Sequence, residues 1–140
     1  MFSIGKAFNF EAAHRLGGLP DGHKCSRPHG HSYTVEVILE SPVLSAPGFV
    51  TDFAELEPVR DYLDCSWDHR DLNEVLAGAE PTSENIARHL HDWCCANLGP
   101  AAGPLVAAVR VSETGSTWAE YRPERIPAGG AARAPRQVSC

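Results

Sequence analysis

Two stretches of alternating apolar residues, separated by a loop rich in turn residues, constrain the fold of this chain most strongly. From Phe2 to His14 the even positions are mostly apolar, and from Ser32 to Glu40 the odd positions are apolar. Such an alternation is typical of a strand that buries one face. Residues 17–22 are rich in glycine, proline and aspartate, which favour turns. The sequence therefore predicts two strands joined by this loop.

Two helices are predicted in the middle of the chain. Asp52 with Glu55 fits a capping box, whereas Pro58 is suited to a first helical turn. The first helix therefore begins near residue 52 or near residue 58. The second helix is capped by Thr82 or Ser83, carries one apolar stripe and ends at a Gly-Pro pair.

Two further strands complete the predicted fold. Residues 105–113 alternate again, and Trp118–Arg122 forms a short run after a turn. The order ββααββ predicts an α+β fold, in which both helices cover one face of a four-stranded antiparallel sheet. We expect a single domain over residues 1–123. Residues 124–140 are rich in Ala, Gly, Pro and Arg and predict a flexible C-terminal tail, unless this segment packs on a neighbouring subunit.

Size and charge exclude several classes of protein. The chain has 140 residues, and its twelve basic and eighteen acidic side chains give a net charge of −6. Nucleic-acid binding is not expected, because it depends largely on Lys and Arg meeting phosphates. No apolar run approaches the roughly 20 residues that span a bilayer, and the N-terminus does not resemble a secretion signal. We therefore expect a cytoplasmic protein with no membrane partner.

The cysteines support the same compartment. There are five, and Cys94 and Cys95 are neighbours whose Cα atoms, about 3.8 Å apart, are too close for an ordinary disulfide. Reduced thiols are typical of the cytosol. Cysteine is therefore expected in metal-binding or catalytic roles rather than in cross-links.

Three histidines are the first candidates for chemistry. His29 and His31 share the parity of the apolar positions that follow them, and His14 continues the apolar parity of the first strand. Unless a bulge intervenes, all three converge at one end of the helix-covered face. Three imidazoles that leave one position open are typical of catalytic zinc. The alternative is three separate histidines hydrogen-bonded at the sheet edge.

A cysteine and an Asp-His pair are the next candidates. Cys25 lies between Lys24 and Arg27, whose charge favours the thiolate. It is either a further metal ligand or a reactive base. Asp68 can fix the tautomer of His69 or share its proton, although neighbouring side chains need not touch.

Glu113 is a candidate for binding a ligand. It continues the buried parity of the strand over residues 105–113, and an unpartnered buried carboxylate would cost several kcal/mol. Glu113 either lies solvated in a turn or faces inward. In the inward position it could accept two parallel hydrogen bonds from a planar heterocycle.

These residues belong to six motifs that together resemble one enzyme family. The motifs fall in order within roughly residues 1–122 and are FEAAH at 10–14, CSRPHGHSY at 25–33, GFVTDF at 48–53, DHRDLN at 68–73, PTSEN at 81–85 and SET at 112–114. They look like those of the 6-pyruvoyltetrahydropterin synthase and 6-carboxytetrahydropterin synthase family.

The resemblance implies a tunnelling fold, in which subunits join their sheets into barrels and assemble as a homohexamer, a dimer of trimers. It implies a pterin triphosphate substrate, 7,8-dihydroneopterin triphosphate. It also implies roles for seven side chains: zinc on His14, His29 and His31, Cys25 as proton acceptor, Asp68 and His69 as its relay partners, and Glu113 as the pterin anchor.

The spacing between Cys25 and His29 bears on the reaction. Only three residues separate them, which resembles the carboxy-forming branch. The resemblance then implies a lyase that releases acetaldehyde and triphosphate and forms 6-carboxy-5,6,7,8-tetrahydropterin for 7-deazapurine synthesis, either of the queuosine type or of a secondary metabolite. A pyruvoyl-forming enzyme and a non-catalytic zinc-stabilised binding module are the alternatives.

Overall fold

A computed structural model describes residues 1–124 of the chain. The predicted domain therefore lies within the described part, whereas the predicted tail, apart from Glu124, lies outside it. No helix among these residues has the length and apolar character needed to cross a membrane.

A five-stranded sheet forms the frame of the domain. Its strands, in chain order, are β1 (Phe2–His14), β2 (His29–Ser41), β3 (Arg70–Asp71), β4 (Val106–Thr114) and β5 (Thr117–Tyr121). Their spatial order is β3-β1-β2-β4-β5. The four long strands pair antiparallel, as the alternation predicts, and the two-residue β3 runs parallel to β1. The predicted four-stranded sheet is thus confirmed, with one very short strand added at its edge.

Three α-helices connect the strands: α1 (Glu57–Ser66), α2 (Leu72–Val75) and α3 (Ser83–Asn97). Both predicted starts of the first helix are used, because Asp52 caps a 3-10 turn and Pro58 then lies in the first turn of α1. Thr82 caps α3 by accepting from the backbone N–H of Asn85. The short helix α2 was not predicted, because one turn carries too little periodicity to detect.

The core lies between one face of the sheet and the helices α1 and α3. Phe8 of β1, Tyr33 of β2, Leu63 of α1 and Ile86 of α3 all have no exposed surface, and they belong to one apolar cluster. The opposite face of the sheet is polar, and Arg110 there contacts carboxylates from two other strands. The one-sided α+β arrangement that the sequence predicts is confirmed.

Candidate functional site

The pairing of β1 with β2 brings three histidines together. His14 lies opposite His29 in the register, and His31 lies opposite Ala12 on the same face. The ring centroids are 4.6 Å apart for His14 and His29, 5.1 Å for His14 and His31, and 4.9 Å for His29 and His31. One nitrogen from each ring lies within 4.8 Å of the other two. The predicted convergence at the end of the covered face is therefore observed, with no bulge between the strands.

Backbone carbonyls fix the tautomers of two of these rings. His14 Nδ1 lies 2.8 Å from the Pro81 carbonyl oxygen, and His29 Nδ1 lies 2.7 Å from the Arg27 carbonyl oxygen. Because a carbonyl oxygen can only accept, each Nδ1 carries a hydrogen, which leaves Nε2 as the nitrogen that can bind a metal ion. The two Nε2 atoms lie 3.0 Å apart. A single cation can therefore contact both of them.

The third ring, that of His31, adds a nitrogen that is available to a metal ion. His31 Nε2 is buried and has no hydrogen-bond partner among the described residues. Burial also lowers the pKa of His31, with nearby His14 and His29 acting in the same direction and Glu113 opposing them. A neutral ring is the form that binds metal ions. The three histidines therefore fit a divalent metal ion that accepts imidazole nitrogen.

Glu113 faces this cluster rather than lying solvated in a turn. It is part of β4, its side chain is 27% exposed, and its Oε2 atom is 3.8 Å from His31 Nε2. Together with burial, its charge raises the pKa of the Tyr33 hydroxyl. Of the two positions left open by the sequence, the structure has the inward one.

Cys25 lies beside the histidines in a 3-10 turn, Lys24–Ser26. The backbone N–H of Cys25 donates to His23 Nδ1, which caps the turn. Cys25 lines a cavity of about 580 Å³ together with the three histidines and Glu113. It is not part of the cluster of potential metal ligands found among residues 1–124. This arrangement favours the reactive base over the additional ligand.

Asp68 and His69 are hydrogen-bonded to each other, and His69 lines a different cavity from the one that contains Cys25. Asp68 Oδ2 lies 2.8 Å from His69 Nδ1, and Asp68 Oδ1 accepts from the backbone N–H of Glu11. These hydrogen bonds lower the pKa of Asp68. His69 lines a cavity of about 520 Å³ with Glu11 and Asp71, and Cys25 is absent from it. Within one chain, therefore, the structure does not bring the Asp-His pair to the thiol.

Sequence reasoning missed the groups that support the site. Tyr33 Oη lies 3.2 Å from His14 Nδ1, and the Pro81 carbonyl has no side-chain signature in the sequence. A third cavity, of about 260 Å³, shares Glu113 with the histidine cavity and is also lined by Ser83 and Trp118. The PTSEN motif, which includes the α3 cap, was the available signal for this cavity.

The helix-covered sheet and its three-histidine cluster define a tunnelling-fold protein with a candidate metal centre. Its fold matches a solved structure of 6-pyruvoyl tetrahydropterin synthase from Caenorhabditis elegans with a TM-score of 0.76 and 26% identity, over 88% of this chain and 96% of that one. The chain belongs to the 6-pyruvoyl tetrahydropterin synthase family, whose model matches residues 3–124.

Two similar proteins carry a more specific name. The 6-carboxy-5,6,7,8-tetrahydropterin synthase of Synechocystis is 40% identical over 135 residues, which cover 90% of this chain and 97% of the relative. The enzyme of the same name from Bacillus subtilis is 31% identical over 128 residues, covering 89% and 87%. The family resemblance seen in the sequence motifs is thereby confirmed.

Proposed function

We propose that the protein is a zinc-dependent lyase that converts 7,8-dihydroneopterin triphosphate and one water into 6-carboxy-5,6,7,8-tetrahydropterin, acetaldehyde and triphosphate. The observation that carries this proposal is the cluster of His14, His29 and His31, in which the Nε2 atoms of His14 and His29 lie 3.0 Å apart and both Nδ1 atoms are bonded to backbone carbonyls. The cavity that contains them also contains Cys25 and Glu113. A metal site, a base and an anchoring carboxylate in one cavity are what this reaction requires.

Under this proposal the three histidines hold the zinc ion. When bound, the ion would act as a Lewis acid that polarises the side-chain hydroxyls of the substrate and so acidifies the neighbouring C–H groups. Glu113 orients the pterin by accepting two N–H donors of the ring. Cys25 Sγ takes a proton from the side chain of the oriented substrate.

Asp68 and His69 would exchange protons with Cys25 across a subunit boundary. The thiol of Cys25 and the ring of His69 line different cavities of one chain, so we place the relay between Cys25 of one copy and the Asp-His pair of another. Among residues 1–124, no strand pairs with the outer edge of β1 over residues 2–10, and β5 is the other edge of the sheet. Such edges can pair between copies, which supports the proposed homohexamer.

The carboxy-forming branch and the cytoplasmic location complete the proposal. The short spacing between Cys25 and His29 and the names of the relatives support this branch, whose product would enter 7-deazapurine synthesis of the queuosine type or of a secondary metabolite. The four cysteines within residues 1–124 are free thiols, which supports a reducing compartment.

The test is the identity of the products. Purified protein is incubated with 7,8-dihydroneopterin triphosphate, the pterin is identified by mass spectrometry, and acetaldehyde is measured with a coupled dehydrogenase. We expect the 6-carboxy pterin with one acetaldehyde per turnover. A pyruvoyl pterin without acetaldehyde would overturn the branch, and an unchanged substrate would favour the non-catalytic binding module.

Metal content is measured separately from activity. His29→Ala combined with His31→Ala should remove the roughly one equivalent of zinc expected per chain, as measured by elemental mass spectrometry. His89→Ala is the matched control, because His89 bonds Tyr62 between the helices. Full zinc occupancy in the double variant would contradict the assigned ligands, whereas Cys25→Ala should keep zinc and lose turnover.

A further inference from the structure

Two cationic side chains that line the histidine cavity form no ion pair within the described residues. Lys24 and Arg27 both line the cavity that contains Cys25, and both are exposed. Neither takes part in any ion pair found within residues 1–124. In a chain with a net charge of −6, two unneutralised cations in one cavity form a local anion-attracting surface.

The backbone holds this pair in a defined place. Lys24 belongs to the 3-10 turn capped by His23, and the Arg27 backbone N–H donates to the Lys24 carbonyl at 3.3 Å. The Arg27 carbonyl in turn accepts from His29 Nδ1. The two cations are therefore attached to the same short segment that orients one of the three histidines.

Glu113 is shared by the histidine cavity and a smaller cavity. The smaller cavity contains Ser83, Trp118 and the carboxylate of Glu113, and Glu113 also lines the histidine cavity. Glu113 is next to His31, whereas the two cations come from the loop that precedes His29. The histidine cavity thus offers a carboxylate beside His31 and two cations on the loop before His29, so that a ligand with a ring of N–H donors and an anionic chain finds a partner for each part.

We propose that Lys24 and Arg27 form a polyphosphate-binding subsite, which holds the triphosphate of the substrate while Glu113 holds the ring. This inference rests on the proposed function for the identity of the ligand. Lys and Arg form charge-assisted hydrogen bonds with phosphate oxygens. Glu113 repels the phosphates at the other end, so that the ligand binds in a single orientation.

The test compares two fluorescent pterins that differ only in the phosphate chain. The dissociation constants of neopterin triphosphate and neopterin are measured by fluorescence titration for the wild type, Lys24→Gln, Arg27→Gln and the double variant. Arg88→Gln is the control, because it changes the net charge equally but lies on α3 over the Tyr121 ring. Arg27→Gln keeps the backbone carbonyl that bonds His29.

We expect the wild type to bind the triphosphate more tightly than neopterin. Each substitution should reduce this preference about tenfold, which corresponds to a loss of roughly 1.4 kcal/mol, and neopterin binding should change little. Arg88→Gln should retain the preference. Thermal unfolding, measured for every variant, shows whether a lost preference for the triphosphate comes from misfolding. Metal content, also measured for every variant, shows whether phosphate has removed the metal by chelation.

The titration tests the phosphate subsite separately from the proposed reaction. A wild type with no preference for the triphosphate, or a double variant that retains it, would overturn the subsite even if the enzyme turns over substrate. Loss of preference in the double variant supports the subsite even if the wild type releases no product. If the double variant loses the preference and the wild type releases no product, the proposed reaction is wrong while the proposed subsite is supported.

Discussion

Mixing two inactive variants tests whether the site is built by two chains. Cys25→Ala removes the thiol from the histidine cavity, and His69→Ala removes the imidazole from the cavity that also contains Glu11 and Asp71. If both groups act in proton transfer, each variant alone should lose activity by about 10²–10⁴-fold. Neither substitution touches the other cavity, so each variant still contributes one intact half of the site.

The size of the recovery follows from the arrangement of the two cavities. In an equal mixture that assembles at random, half of the chains carry intact Cys25 and half carry intact His69. A site built from two chains then receives both groups with a probability of about one quarter, so that about one quarter of wild-type activity should return. At other ratios the activity should follow the product of the two mole fractions. A relay within one chain predicts no recovery at any ratio.

The assay measures triphosphate release from co-expressed variants that carry different affinity tags. Retention of both tags in one complex demonstrates mixed assembly. The control combines Cys25→Ala with Cys25→Ser, which should recover nothing, because no chain then contributes the thiol. Mixed complexes without activity above that of the parents would refute the relay across the subunit boundary.

Three further predictions concern packing and accessibility. Leu63→Ala should lower the free energy of unfolding by about 2–5 kcal/mol in urea titrations, because Leu63 is fully buried. Asn73→Ala should lower the free energy of unfolding by about 1–3 kcal/mol, because the Asn73 side chain bonds both the N–H and the carbonyl of Arg15. Asn97→Ala is the control and should have a smaller effect, because it loses one exposed bond to the Trp93 carbonyl. Burial raises the pKa of Cys94 to about 12, so the thiol remains protonated at pH 8, and alkylation followed by peptide mass spectrometry should label Cys65 but leave Cys94 unmodified.

The site could be predicted from sequence where it depends on strand parity. The alternation over Phe2–His14 and its counterpart around Tyr33 determine which face each histidine occupies, because side chains alternate strictly along a strand. The positions of the three histidines follow from this local rule. Parity alone left Glu113 open between an inward position and a solvated turn, and the pairing of β4 with β5 shifts register between Val111 and Thr114.

Other parts of the site follow from tertiary contacts and could not be predicted. His69 has a positive φ of 56°, and its N–H donates to the Glu11 carbonyl, a contact across 58 residues of chain that no local pattern indicates. The Pro81 carbonyl that orients His14 has no side-chain identity to recognise. The separation of Cys25 from His69 depends on how the loops fold back, which spacing along the chain does not specify.

The register of β1 and β2 determines where the chain can gain or lose residues without losing the histidine cluster. A slip by one residue would turn His29 and His31 to the polar face and abolish the cluster, so insertions and deletions within the paired segments are excluded. Residues 15–28 lie outside that pairing and carry Cys25 together with Lys24 and Arg27. This loop can therefore change in length and composition while the three imidazoles stay in place, so one fixed centre can acquire a new base position or a new substrate preference.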